Sequence, residues 1–257
     1  ETCRNAGRVL GVDELHDPHS CRFFSGIRSA VNCGDLAMES TGYVTLTRQS
    51  GLMREMELIA HNMANSATTG FRQQGLVFSE YIEAVQGGDS ISMAAARVKK
   101  TSTAQGILTQ TGNALDLAIE GSGYFQLETP DGLRLTRAGA FNVNSIGDIV
   151  SSEGHRVLDE GGAPINVPAG EADVKVAADG TVSLGAQLLG KIGVLEPEQG
   201  ANLTREAGVL FRTEAALAPS TSGKVLQGHL EGSNVDAISQ LTRMIEVQRS
   251  YEMGQKL

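Results

Sequence analysis

The feature that limits this chain's fold most is a change of hydrophobic period that happens twice. From Tyr43 to Ala67 apolar residues recur at helical spacing: Leu46, Met53, Met56, Ala60, Met63 and Ala67, with Leu52 and Ile59 beside them. Positions 46, 53, 60 and 67 stand seven apart, a heptad-like seam that Gln49 interrupts with a polar group. From Leu115 the period drops to two. Leu115, Leu117 and Ile119 alternate with Asp116, Ala118 and Glu120, and the same rule covers Leu133/Leu135, Phe141/Val143, Val174/Val176 and Val182/Leu184. From Asn234 to about Lys256 the helical period returns at Ile238, Leu241, Met244, Ile245, Val247 and Tyr251, with Gln240, Arg243, Glu246 and Arg249 on the opposite face. A uniform bundle or a uniform sandwich cannot carry both periods. The pattern predicts an α+β chain: amphipathic N- and C-terminal helices forming a coiled-coil-like core domain, and a central antiparallel β domain. A plain helical hairpin on a globular core is the simpler alternative. The sharper one is a terminal coiled coil whose outer faces pack on other chains.

Turn chemistry sets the boundaries. Asn62 to Phe71, ending Thr68-Thr69-Gly70-Phe71, reads as a helix end and turn. Asp131-Gly132 and Asp179-Gly180 are the strongest hairpin dipeptides. Gly232-Ser233-Asn234 precedes the last helix, where Ser233 or Asn234 can cap and Asp236 faces the positive helix end. That helix would be about 35 Å long at ~1.5 Å per residue. The division is 1–37, an extension unlike the rest; 38–82, first helix and turn; 83–112, an extended connector; 113–213, the β domain; 214–257, loop and last helix.

Composition excludes several function classes. A formal net charge of −9 argues against nucleic acid, because phosphate binding needs concentrated Lys and Arg, and Arg97-Val98-Lys99-Lys100 is too short a cluster. No apolar run approaches the ~20 residues of a membrane span, so stable membrane insertion is not expected. No signal-peptide pattern precedes Met38, so the protein either stays in the cytosol or leaves by a route that cleaves nothing. Cys3, Cys21 and Cys33 lie ahead of Met38, which reads as the translation start, and the chain beyond it holds no cysteine. His16, His19 and Cys21 have zinc-ligand chemistry but match no zinc module, so no metal or other cofactor is expected.

Nothing in the sequence assembles a catalytic centre. Gly121-Ser122-Gly123 lacks the third glycine of a dinucleotide loop, since Gln126 stands there, and Tyr124-Phe125-Gln126-Leu127 is strand-like rather than helical. His61, His155 and His229 lie far apart, with no G-x-S-x-G nucleophile motif to pair with them. Glu128, Asp131, Asp148 and Glu153 are candidates for a glycosidase pair, but acids at such places are ordinarily solvated turn residues.

Seven stretches, in order, resemble bacterial flagellar rod and hook proteins: Asn62-Met63-Ala64-Asn65 … Thr69-Gly70-Phe71; Gln105-Gly106-Ile107-Leu108; Thr111 to Ile119; Gly121-Ser122-Gly123-Tyr124-Phe125; Thr136-Arg137-Ala138-Gly139-Ala140-Phe141; Glu231 to Val235; and Met244 to Glu252. Tyr43 to Gly51 resembles the proximal rod subgroup, with the distal rod subunit as the alternative and a β-rich secreted binding module as the alternative of another class. Residues 1–37 have no counterpart in that family, Ala67 and Leu135 replace its usual asparagine and aromatic, and the chain stops at Leu257 where related proteins run on a little. Asn62, Asn65, Thr69, Gly70, Phe71, Gly121, Gly123, Phe125, Arg137, Gly139, Ser233 and Asn234 carry the motif.

The resemblance implies a non-enzymatic axial subunit of the flagellar basal body that polymerises helically into a drive shaft in the periplasm. Its implied partners are other rod subunits, copies of itself, and the flagellar type III export apparatus, which would carry it out without a cleaved signal peptide. The assembly interface is expected on Leu46, Met53, Met56, Ile59, Met63, Ile238, Leu241, Met244, Ile245 and Tyr251, in helices that are loosely paired before assembly.

Overall fold

The computed structural model describes residues 33–83, 91–168, 174–198, 201 and 203–256. The chain divides into two compact units, 1–39 and 40–257, and the strands among the described residues lie in the second. The His16, His19 and Cys21 cluster lies outside the described residues.

Two α-helices flank the strands: α1 (Cys33–Ala64) and α2 (Ala237–Gln255). A long antiparallel ribbon follows α1, made of β1 (Gln74–Glu83) and β2 (Ile91–Thr101) with a bulge at Val77/Phe78. The stretch 83–112, read as an extended connector, therefore contributes β2 and also β3 (Leu108–Gln110).

The β domain proper is built from short strands, all antiparallel. Its first half comprises β4 (Leu117–Glu120), β5 (Tyr124–Thr129), β6 (Gly132–Thr136), β7 (Phe141–Val143), β8 (Ile149–Ser151) and β9 (Arg156–Val157). The second half adds β10 (Val174–Val176), β11 (Thr181–Leu184), β12 (Gln187–Lys191), β13 (Val194–Pro197), β14 (Thr204–Arg205) and β15 (Leu210–Arg212). Last come β16 (Leu217–Pro219), β17 (Lys224–Gln227) and β18 (His229–Glu231). The main sheet runs β14-β15-β6-β5-β9-β8-β7, and β13 pairs with both β5 and β16. A smaller sheet is β10-β11-β12, while β17 pairs with β4 and β18 with β3. These last two pairings carry the C-terminal chain back beside residues 108–120, which joins both ends of the β region before α2 begins.

The period-two pattern is what this architecture needs. Leu117, Ile119, Phe125, Leu127, Phe141, Ile149, Val174, Val176 and Val182 all enter one buried cluster. Tyr124, Leu135 and Phe211 form a second, in which Tyr124 and Phe211 meet edge-on at 5.8 Å. Both Asp-Gly dipeptides make their turns, with Gly132 at φ 102° and Gly180 at φ 88°. Leu133 and Val143 share the alternation but stay exposed, because each stands at an end of its strand beside a turn.

The coiled-coil-like core domain is not formed, and the fold is mostly β. Of the seam chosen on apolar content, Leu46, Met53 and Ala60 face away from the side on which α1 packs, and Met56 and Met63 are half-buried. Leu46 is 62% and Met53 53% exposed, whereas Gly51, Leu58, Ile59 and Asn62 are buried. In α2 the buried residues are Gln240 and Val247, and Ile238, Leu241 and Ile245 point outward. Polar groups link the two helices. Asn62 Nδ2 donates to Gln240 Oε1 at 3.4 Å, and the Arg243 guanidinium pairs with Glu55 at 2.7 Å. That hydrogen bond holds the Arg243 pKa above its usual value. A coiled coil needs interlocking apolar knobs along its seam, and here Leu46, Met53, Ile238, Leu241 and Ile245 are on the other side, leaving Leu58, Ile59 and Val247 as the buried apolar residues.

Candidate assembly surface and the buried junction behind it

The cap of α2 differs from expectation. Asp236 is the N-cap, in extended backbone, and it accepts from the Ile238 amide at 3.1 Å and from the Ser239 hydroxyl. These hydrogen bonds hold its carboxyl below the usual aspartate range. Asn234 is thereby freed for a longer-range task. Its side-chain oxygen accepts from the Gln73 amide at 2.6 Å, and its Nδ2 donates to the Ala104 carbonyl at 2.8 Å. Ser233 accepts from the Val235 amide at 3.2 Å. Asn62 acts similarly at the other end. It accepts from the Gln74 amide at 3.0 Å and donates to the Gln74 carbonyl at 2.7 Å, fixing the first residue of β1 to the last turn of α1. Asn65 and Thr69 shape the turn between, where the Asn65 amide side chain donates to the His61 carbonyl at 2.8 Å.

At the centre of these tethers is a buried ion cluster. Glu231, fully buried at the end of β18, receives Arg72 at 2.8 Å on one carboxylate oxygen and Arg137 at 3.1 Å on the other. Arg72 also donates to the Thr103 carbonyl at 3.1 Å, and Arg137 to the carbonyls of Ile119 at 3.1 Å and Gly121 at 2.6 Å. The Gly106 amide donates to Glu231 at 3.1 Å, and the Gly70 amide to its main-chain carbonyl at 2.7 Å. Burial lowers the Arg137 pKa, and the Glu231 carboxylate opposes that shift. One carboxylate thus ties the turn after α1 (Arg72), the β domain (Arg137) and the strand before α2. Burying three charges is tolerable only because each is paired and further hydrogen-bonded.

Small residues let these segments touch. Gly70 sits at φ 69°, and a Cβ there would lie 2.3 Å from the Ala138 amide nitrogen. At Gly139 a Cβ would lie 1.6 Å from the Leu117 carbonyl oxygen. Phe71 is fully buried, with the Arg205 guanidinium 4.1 Å over its ring and the His61 ring centroid at 5.5 Å. Phe125 stacks edge-on with Phe141 at 5.2 Å. Gly121 and Gly123 make the tight β4–β5 connection at φ 96° and 119°.

The residues assigned to an interface divide. Leu46, Met53, Ile238, Leu241 and Ile245 are exposed; Met56, Met63, Met244 and Tyr251 are half-buried; Ile59 is buried, 4% exposed, and belongs to the subunit's own packing. Met253, 63% exposed and absent from the expected set, joins the exposed group. Arg72, Arg205 and Glu231 are the residues that sequence reasoning missed. Glu231 stood only as the first letter of a motif, and nothing in a hydropathy pattern marks an isolated buried charge. The acids weighed for glycoside chemistry have separate partners: Glu128 pairs with Arg156 at 3.0 Å, Glu153 with His155 at 3.5 Å, and Asp148 accepts from Asn166 at 3.0 Å.

Comparison with known proteins agrees with the motif. The family model described as flagellar hook protein FlgE/F/G D1 domain matches residues 118–184, and that described as flagellar basal body rod FlgEFG protein C-terminal matches residues 226–257. The flagellar basal-body rod protein FlgF of Mesorhizobium japonicum is 38% identical over 218 residues, covering 84% of this chain and 90% of that protein. FlgF of Caulobacter vibrioides is 35% identical, covering 86% of this chain and 92% of its own. FlgG of Agrobacterium fabrum is 34% identical, covering 83% of this chain and 92% of its own.

Proposed function

Since this chain belongs to the flagellar basal-body rod protein family, we propose that it serves as a FlgF-type subunit of the proximal rod, stacked helically through the outer faces of α1 and α2. It is a structural subunit of the basal-body rod. The FlgF reading stands ahead of the distal-rod, FlgG-type alternative, because the FlgF proteins of Mesorhizobium japonicum and Caulobacter vibrioides, at 38% and 35%, exceed the 34% of the Agrobacterium fabrum FlgG at similar coverage.

The observation that carries the stacking mechanism is inverted amphipathicity. Each helix keeps Asn62, Glu55 or Gln240 toward its neighbour and turns Leu46, Met53, Ile238, Leu241 or Ile245 outward. A lone subunit gains nothing from that arrangement. Covering such side chains is worth up to roughly 1.5–3 kcal/mol each, so five of them supply on the order of 10 kcal/mol against an association cost of ~4–15 kcal/mol. A head-to-tail contact of this kind extends into a filament when its rotation does not close. Methionine suits slightly different neighbours around a helical turn. Other rod subunits and the type III export apparatus are the partners this role requires, and no catalytic step is needed.

The test is Ile245→Asp in the native cells, read by swimming and by the amount of this chain in isolated basal bodies. Loss of both, with an unchanged melting curve for the purified protein, is the expected result. Wild-type swimming and wild-type incorporation would remove the outer faces from the interface.

A further inference from the structure

A cleft of about 620 Å³ lies between α1, the root of the β1–β2 ribbon and the β14–β15 edge. Its charged lining is Arg54, Glu57, His61, Lys99, Arg205 and Glu206. Of the two acids, Glu206 is already held by Arg134 at 2.5 Å and Arg212 at 3.4 Å. The cations are differently placed. Arg205 lies over Phe71 and Phe211 at 4.1 and 5.0 Å, and its Nε is buried without a hydrogen-bond partner. Its other nitrogens donate to the carbonyls of Gly208 and Arg72 at 3.0 and 2.5 Å, which neutralise no charge. Lys99 is exposed at the rim, close enough for its charge, with that of Arg205, to disfavour protonation of His61.

This is a basic recess on a molecule of formal net charge −9. Arg205 and Lys99 both line it, and burial has already weakened the hydration of Arg205, whose pKa falls to about 10. A guanidinium and an ammonium converging on a polar, partly dehydrated recess favour a carboxylate. The surfaces of neighbouring acidic subunits are the abundant source of one.

We propose that the Arg205–Lys99–His61 cleft is a second docking point of the rod, distinct from the apolar helix faces, and receives an Asp or Glu side chain of the adjacent subunit. The inference rests on the rod reading. Apolar faces supply attraction without fixing register, whereas an ion pair in a recess sets how far one subunit is rotated against the next.

Carbodiimide treatment of intact isolated basal bodies tests it, because the reagent joins an amine only to a carboxylate in contact with it. The Lys191–Glu160 pair, 3.0 Å apart within the chain, is the internal control. Mass spectrometry is expected to find Lys99 joined to an Asp or Glu peptide outside its own cleft in basal bodies, and not in the monomer. Lys99→Glu should cut incorporation at least tenfold and be restored by an acid-to-lysine change at the linked position. Lys99 joined only to Glu57 or Glu206, or unjoined while Lys191–Glu160 links, overturns the cleft proposal and leaves the rod reading intact. Absence of the chain from basal bodies overturns both.

Discussion

Glu231→Ala is the substitution that most directly tests how the helices are fixed to the β domain. The side chain it removes is about 1% exposed and engages Arg72, Arg137 and the Gly106 amide. The two guanidinium groups left behind are 1% and 4% exposed, and each Nε already lacks a partner. Water cannot reach them without opening the junction. Removing one member of a buried ion pair costs ~3–5 kcal/mol. Here one carboxylate serves two cations, so the upper part of that range is expected, out of a total stability of ~5–15 kcal/mol. Glu231→Gln keeps the shape and part of the hydrogen bonding, and it should cost less than the alanine.

Urea denaturation followed by circular dichroism gives the magnitude, and hydrogen exchange gives the location. Amides of β18, of residues 232–236 and of the first turn of α2 should lose protection first, together with those around Gly70. Arg137→Ala combined with Glu231→Ala should be clearly non-additive, because the second change removes a charge the first had orphaned. A loss below about 1 kcal/mol for Glu231→Ala, or protection lost evenly across the β domain, would show that the cluster is not what holds the helices in place.

Four further outcomes follow from the same geometry. Gly139→Ala should prevent stable folding, since its Cβ would overlap the Leu117 carbonyl, with circular dichroism as the check. Phe125→Ala, at the centre of the larger core, should cost ~3–5 kcal/mol in a urea titration. Met53→Asp, on the exposed face of α1, should abolish swimming while the purified protein melts as before. Burial holds the His61 pKa below 6.5, with Arg205 and Lys99 adding to the shift, so the unfolded chain binds the extra proton. Stability should therefore rise with pH through the window just below 6.5, and His61→Gln should flatten that part of the curve.

The β domain was legible because its signal is local. Alternation at Leu117/Ile119 and Val174/Val176 and the two Asp-Gly turns state face and reversal within a few residues. The strands of 219–232 were not legible. Leu226 and Leu230 do not alternate cleanly, and their pairing partners, β4 and β3, lie about a hundred residues away in sequence. The helices were legible as helices, but the rule that finds the buried face failed on them. That rule assumes a subunit that buries its own apolar stripe. Leu46, Met53, Ile238, Leu241 and Ile245 are instead exposed on the subunit, and Asn62 and Gln240 are buried beside Leu58, Ile59 and Val247.

The same reasoning explains why the junction carries charge rather than hydrocarbon. An apolar knot at the turn after α1 would compete with the outer stripes for the same non-directional burial, and the helices could settle with those stripes inward. Arg72 and Arg137 donate to the Glu231 carboxylate and to fixed carbonyls, and Asn62 and Asn234 bond named backbone groups on Gln73, Gln74 and Ala104. Directional contacts at the root hold each helix in the rotation that leaves its apolar side outward. If that is their role, replacing Arg72, Arg137 and Glu231 together by apolar residues should leave stability within a few kcal/mol of the original. It should nevertheless reduce incorporation into basal bodies. A triple variant that assembled normally would show that the junction matters for stability alone.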